Sequence, residues 1–439
     1  MFRTILKQIW NQRLQNGWIF FELLLVGIFL WVVLDPLCSQ TANKNIDRGY
    51  QQEGMYLLNM NKYAPNSHKY NKELDSDSLA RLQYLDIIRA IRNLPEVESF
   101  SVTYGMSYAN SGAFNGGEIF ADSAFSLKKH YQAYFFCPVE GSDILRTYRF
   151  RDAQSGEVMT IAPDFATRNL IYISENLAQL LYDRTDVVGE KCYDYNKTEY
   201  EIAGVFKDYK DRDYNQPYPT ALLTPYFSKS LRGSANMHWQ NMIMFRIKDY
   251  VDADEFEHRF ENEIKPTLAR GNYYCTGIST FEEIALKTAH TFGELNQARK
   301  NFAFAIFGLL CVFLGIVGTF WVRANMRRQE IGVMRSIGAS KSRIMLQYLT
   351  ESGILVTAAI LVSTIIMANY VYANGFFYYP SMVTLETIAA DYWQNSPLLH
   401  FGVISGVVYL VTLLIALIGT YIPVSRTINE LPSEALRDE

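Results

Sequence analysis

The chain has 439 residues, with 41 Lys plus Arg against 45 Asp plus Glu and a formal net charge of −4. With that slightly acidic balance no nucleic-acid partner is expected. With 20% charged residues the composition describes an ordinary soluble protein. The average mixes two environments, however, because four windows are long and apolar enough to cross a bilayer.

Residues 1–17 carry Arg3, Lys7 and Arg13 and precede a first span at 18–37. Basic residues beside a span stay on the cytoplasmic side, so this segment is predicted to be cytoplasmic. A cleaved signal peptide is the competing reading, and no small-residue cleavage site follows the span. Glu22 lies four residues into it. An intramembrane carboxylate is a candidate proton relay or pairing partner, but one so near the interface can also snorkel.

Residues 38–296 are long enough for a substantial core and are predicted to be an extracytoplasmic α+β domain. Leu82, Leu85, Ile88 and Ile91 recur at helical spacing before Pro95, and 97–104 alternates as a strand. A second helix/strand half follows, with strands at 242–247 and 277–281 around a helix at 252–264. Between the halves, an inserted β-rich subdomain is placed at about 134–227, with strands at 170–173 and 200–206 and a helix at 175–182. The external domain's aromatics, Tyr131, Tyr134, Phe135 and Phe136 with Tyr209, Tyr214 and Tyr218, read as core or as a partner-binding surface. Cys38, Cys137, Cys192 and Cys275 fall in this region, where disulfides survive; three pairings are open, and so is the absence of any.

The second span is predicted at 297–322, where Gly308, Gly315 and Gly318 permit close helix packing and Cys311 reads as a packing residue. Residues 323–345 follow as a cytoplasmic segment, with six basic residues from Arg323 to Arg343. Within it, Ile331, Met334 and Ile337 share one helical face while Arg327, Arg328 and Arg335 lie elsewhere, the pattern of a helix resting on a surface. Gly338 and Ala339 break that helix, and Ser340 is placed to N-cap the next. A third span at 346–375, an external loop at 376–396 with Glu386 and Asp391, a fourth span at 397–423 and a cytoplasmic tail at 424–439 with Arg426 and Arg437 complete a four-span topology.

No catalytic or metal-binding constellation stands out. His68, His130, His238, His258, His290 and His400 are scattered, without an HExxH pair. Neither a GxSxG elbow nor a GxxxxGKS/T phosphate loop occurs, so catalytic, cofactor and metal residues are read as none.

Two stretches resemble the permease subunits of the MacB/FtsX family of ABC transporters. One runs through Arg327, Glu330, Ile331, Gly332, Arg335, Gly338, Ala339, Ser340, Arg343, Ile344 and Glu351, and the other is the tail sequence Pro432, Ala435, Leu436 and Arg437. Ile173, Ser174, Glu175, Ala178 and Gly189, then Gly204, Val205, Lys207 and Asp208, are similar to the insert of the family's periplasmic domain. The resemblance implies an inner-membrane permease whose first stretch couples to a cytoplasmic ABC ATPase subunit that binds ATP and Mg. MacB carries its nucleotide-binding domain ahead of the first span, where this sequence has 17 residues, so the ATPase is expected on a separate chain. The implied mechanism is mechanotransmission, in which the ATPase cycle moves the periplasmic domain. Implied partners are a second permease copy or homologous permease, a periplasmic adaptor with an outer-membrane channel, and membrane lipid. The alternatives are an FtsX-like regulator of a cell-wall hydrolase and a ligand-binding membrane sensor.

Overall fold

The structure is a computed structural model describing residues 10–105, 108–112, 115–125, 129–139, 141–165, 167–223, 241–377 and 392–429. Arg3, Lys7, His238, Glu386, Asp391 and the tail motif Pro432, Ala435, Leu436 and Arg437 lie outside the described residues. The chain opens with helix α1 (Arg13–Lys44), then β1 (Met55–Lys62), α2 (Asp77–Arg92) and β2 (Val97–Tyr104). Next come β3 (Gly116–Phe120), β4 (His130–Phe136), α3 (Ile144–Tyr148), β5 (Leu170–Ser174), α4 (Glu175–Tyr182), β6 (Lys191–Asp194), β7 (Glu199–Phe206) and β8 (Thr220–Leu223). After β9 (Asn241–Ile247), α5 (Ala253–Arg259), β10 (Tyr273–Thr280) and α6 (Phe281–Thr291), the chain ends in α7 (Glu294–Met326), α8 (Arg328–Ser336), α9 (Lys341–Asn374) and α10 (Pro397–Asn429). It divides into a helical unit, Met1–Ala42 with Asn296–Tyr379 and Asp391–Glu439, and an α/β unit, Asn43–Leu295 with Pro380–Ala390.

In the α/β unit, both predicted halves contribute to one antiparallel sheet ordered β10-β1-β9-β2. Successive side chains of a strand point to opposite faces. Tyr56, Leu58, Ile243 and Phe245 accordingly pack with Tyr84, Ile87 and Ile91 of α2 and with Phe256 and Phe260, while Met55, Leu57 and Met244 pack with Tyr148, Phe150 and Phe281. Caps fix the helix starts: Ser76 accepts from the Leu79 N–H, Asp252 from that of Glu255, and Thr280 and Glu283 form a reciprocal capping box. Arg246 is wholly buried, and its guanidinium donates to the carbonyls of Thr147 at 2.7 Å, Glu53 at 2.6 Å and Gln51.

The inserted subdomain is a closed barrel ordered β3-β4-β8-β5-β7-β6, with parallel pairs β4–β8 and β5–β7. It begins at Gly116, ahead of the expected 134, because β3 pairs with both β4 and β6 and is needed for closure. Ile171, Ile173, Phe135 and Val205 pack with Leu177, Ala178 and Leu181 of α4; alternate residues Tyr134, Phe136, Tyr172 and Phe206 join the Tyr148 cluster. The aromatic clusters are therefore core: Tyr134, Phe135, Phe136, Tyr209 and Tyr218 are buried, while Tyr131 and Tyr214 are half-buried. All five cysteines are free thiols, with Cys137, Cys192 and Cys275 buried.

In the helical unit, α1, α7, α9 and α10 are long and apolar enough to cross a membrane. Leu23, Leu30 and Trp31 of α1 pack with Val312, Ile316 and Phe320 of α7, Val356 and Ala359 of α9, and Ile404 and Val408 of α10. Small residues permit this approach, since a Cβ on Gly27 would lie 2.5 Å from Ser363 Oγ and one on Gly308 2.5 Å from the Phe29 ring. Two expectations fail here. A Cβ on Gly318 would meet nothing within 4 Å, and Cys311 is exposed, on the face of α7 turned away from the other helices.

Candidate coupling site

The segment between α7 and α9 is built around one buried carboxylate. Glu351 of α9 accepts from Arg327 Nη1 at 2.7 Å, from Arg327 Nη2 at 3.3 Å and from Arg323 of α7. Arg327 also lies 3.8 Å from Glu330 and over the Tyr348 ring at 5.6 Å. The resemblance put Arg327 and Glu351 in the stretch that couples to an ATPase; both are buried inside the helical unit, where they tie α7 to α9. Charged groups so buried hold their places only when paired, and these pair with each other.

Helix α8 is fastened on two further sides. Ile331 is buried with Ala324, Ile344, Tyr348, Val424 and Ile428, and Met334 packs against that cluster. Gly332 is buried too. Arg335 Nη1 donates to the Ile428 carbonyl of α10 at 2.7 Å. Residues 331 and 334 thus face the helical unit and are not resting on a separate surface, and Ile337 departs from their face altogether, being 81% exposed. The helix ends there because Gly338 takes φ +95°, a conformation open to glycine and costly for other residues. Ala339 is half-buried, Ser340 accepts from the Arg343 N–H as the N-cap of α9, and Arg343 is itself exposed. Val333, 45% exposed, and Ile337 form an apolar tip beyond the fastened face of α8.

Residues 302–432 match the FtsX-like permease C-terminal family, and this whole segment lies within the match. The chain carries an FtsX-like permease domain. Among curated relatives, the macrolide export ATP-binding/permease protein MacB of Salmonella choleraesuis is 26% identical over 174 residues, covering 40% of this chain and 26% of that protein. The match therefore spans about a quarter of the MacB length. The uncharacterized ABC transporter permease YknZ of Bacillus subtilis is 25% identical over 292 residues, covering 65% of this chain and 66% of YknZ. Among solved structures, the periplasmic region of MacB from Actinobacillus actinomycetemcomitans aligns with a TM-score of 0.32 at 13% identity, over 55% of this chain and 94% of that one.

The helical unit also holds polar groups among its long helices; sequence reading singled out Glu22 and missed the pairing of Asp35 with His400. Glu22 accepts from the Thr319 hydroxyl of α7 at 2.9 Å. At the other end of α1, Asp35 is fully buried and binds His400 Nε2 of α10 at 2.6 Å, with Ser39 Oγ 3.3 Å from the same nitrogen. His400 Nδ1 lies 3.3 Å from the Gln394 carbonyl, the Phe376 ring stacks on the imidazole at 3.9 Å, and the Phe377 N–H donates to Asp35 at 2.8 Å. Asp35 sits two residues inside the predicted end of the first span, which was the available signal.

Proposed function

We propose that this chain is the permease subunit of a MacB/FtsX-type ABC transporter in a bacterial inner membrane, driven by a cytoplasmic ATPase subunit that docks on α8. In this reading ATP and Mg are bound by that ATPase. The basic flanks favour cytoplasmic termini and an α/β unit on the outer side. One observation carries the reading: α8 is tied through the Glu351 cluster to α7 and α9 and through Arg335 to α10, while Val333 and Ile337 stay exposed. A push on that tip reaches three membrane helices at once. Such a subunit performs no catalysis itself; it turns the ATPase cycle into movement of the α/β unit on an envelope substrate, working as a pair with a second copy or a homologous permease.

The test is affinity purification of the tagged chain from its own membranes in mild detergent, beside Val333→Asp/Ile337→Asp. We expect an ATPase with a phosphate-loop motif to copurify with the wild type and to be lost from the variant, whose Glu351 cluster is untouched. Absence of any such ATPase with the wild type, in every nucleotide state, overturns the reading.

A further inference from the structure

Helices α1 and α7 each run from one unit into the other: Asn43 and Lys44 at the end of α1, and Glu294 and Leu295 at the start of α7, belong to the α/β unit. Both ends meet the same short loop, 207–214, which follows β7. The Lys210 ammonium donates to the carbonyls of Asn43 at 2.9 Å and Ile46 at 2.7 Å, with those of Asp213 at 3.3 Å and Lys44 at 3.5 Å. Carbonyls in the last turn of a helix have no partner within it, and a cation there answers both their hydrogen bonding and the helix dipole. Asn43 returns a bond to the Tyr214 carbonyl at 3.1 Å, and Arg48 holds Asp213 at 2.7 Å. Two residues beyond Lys210, Arg212 pairs with Glu294 at 2.7 Å and lies over the Phe292 ring at 5.0 Å.

The loop itself is held from behind. Asp211 accepts from the Tyr209 hydroxyl at 3.2 Å and from the Asn110 N–H at 3.2 Å, and Asn110 in turn accepts from Thr288 of α6 at 2.6 Å. Gly49 sits so close that a Cβ there would lie 1.8 Å from the Asp208 carbonyl. Neither helix end continues directly into a strand or helix of the α/β unit. Gly293, between α6 and α7, takes φ +73° with nothing within 4 Å of where a Cβ would be, and ten residues separate α1 from β1.

We propose that loop 207–214 is a clamp on both helices, with Lys210 holding the end of α1 and Arg212 the start of α7, so that displacement of one helix is felt by the other and by the barrel. This rests on the permease reading above for its purpose, though not for its test. Lys210, Arg212 and Glu294 are positioning residues. The experiment is hydrogen exchange by mass spectrometry on the full chain in lipid nanodiscs, without any ATPase. In Glu294→Gln, amides 43–48, at the end of the other helix, should exchange about tenfold faster, a size typical of coupling between linked sites. Reciprocally, Lys210→Met should speed exchange in the second turn of α7, where the amides first have helical partners, while Arg212→Lys, which keeps the cation, stays near wild type. Amides of β9 report whether a variant is folded. Unchanged exchange at the opposite helix end in both Glu294→Gln and Lys210→Met overturns the clamp, whether or not an ATPase is captured; loss of ATPase capture alone overturns the permease reading and leaves the clamp standing.

Discussion

Replacing Glu351 by Gln tests the account of the coupling site most directly. The side chain is 2% exposed and takes hydrogen bonds from two guanidinium groups, those of Arg323 and Arg327, whose own side chains are 11% and 6% exposed. Gln keeps the shape and one acceptor oxygen but leaves the two cations with only the partly exposed Glu330, 3.8 Å from Arg327, as a counter-charge nearby. Removing one partner of a buried ion pair costs about 3–5 kcal/mol. For a unit of this size each kcal/mol shifts Tm by about 2–4 °C, so the melting transition of the helical unit should fall by roughly 6–20 °C. Intrinsic fluorescence of the purified chain in detergent reads that transition. The triple variant Arg323→Met/Arg327→Met/Glu351→Leu, which removes the buried carboxylate and both its cations and leaves Glu330 to solvent, should recover most of the loss, because apolar replacement of a whole buried pair is often neutral. A Glu351→Gln transition within about 2 °C of wild type would refute the reasoning, since it would mean the cations reach water unaided.

Gly338→Ala should destabilise the turn between α8 and α9 by about 1–2 kcal/mol, the cost of a side chain in that backbone region, and should weaken ATPase capture without preventing membrane insertion. Burial raises the Asp208 and Asp211 carboxyls from 3.8 to about 6. Each therefore binds its proton more tightly folded than unfolded, so the stability each contributes is full below pH 3.8 and is lost as pH rises through about 6. The loss is at most about 3 kcal/mol per group, and Asp208→Asn should flatten this part of the stability–pH curve measured by urea unfolding. Because the cysteines are free, a reductant should leave Tm unchanged, and a charged maleimide should label Cys137, Cys192 and Cys275 only after unfolding.

What the sequence made legible was local. Runs of apolar residues placed the four long helices, period-two alternation gave 97–104 as a strand, and Ser340 could be placed as a cap because caps act over three residues. Contacts between distant segments left no such trace. β3 begins with Gly116 and Gly117 and has too short a pattern to register, so the barrel's true start was missed. The basic residues Arg323 and Arg327 carried the signature of a loop on the cytoplasmic side, and nothing near them in sequence announces the carboxylate 24 residues beyond Arg327 that turns them inward. Lys210 and Arg212 likewise look like solvated charges until the ends of α1 and α7 are brought to them.

The Asp35–His400 pair has a consequence for how the chain is made. Asp35 enters the bilayer region with the first span, and its partner is 365 residues away. At about 5–20 residues per second, the ribosome reaches His400 roughly 20–70 s later. During that interval α1 carries an acidic group at its far end with no imidazole to receive it, and a lone Asp within a span disfavours insertion. Only two residues from the predicted end of the span, that carboxyl can reach the interface until the last span arrives and His400 receives it among the packed helices. Final seating of α1 in the membrane thus belongs to the end of translation, and a chain truncated before residue 400 should be held as an immature intermediate for quality-control proteolysis.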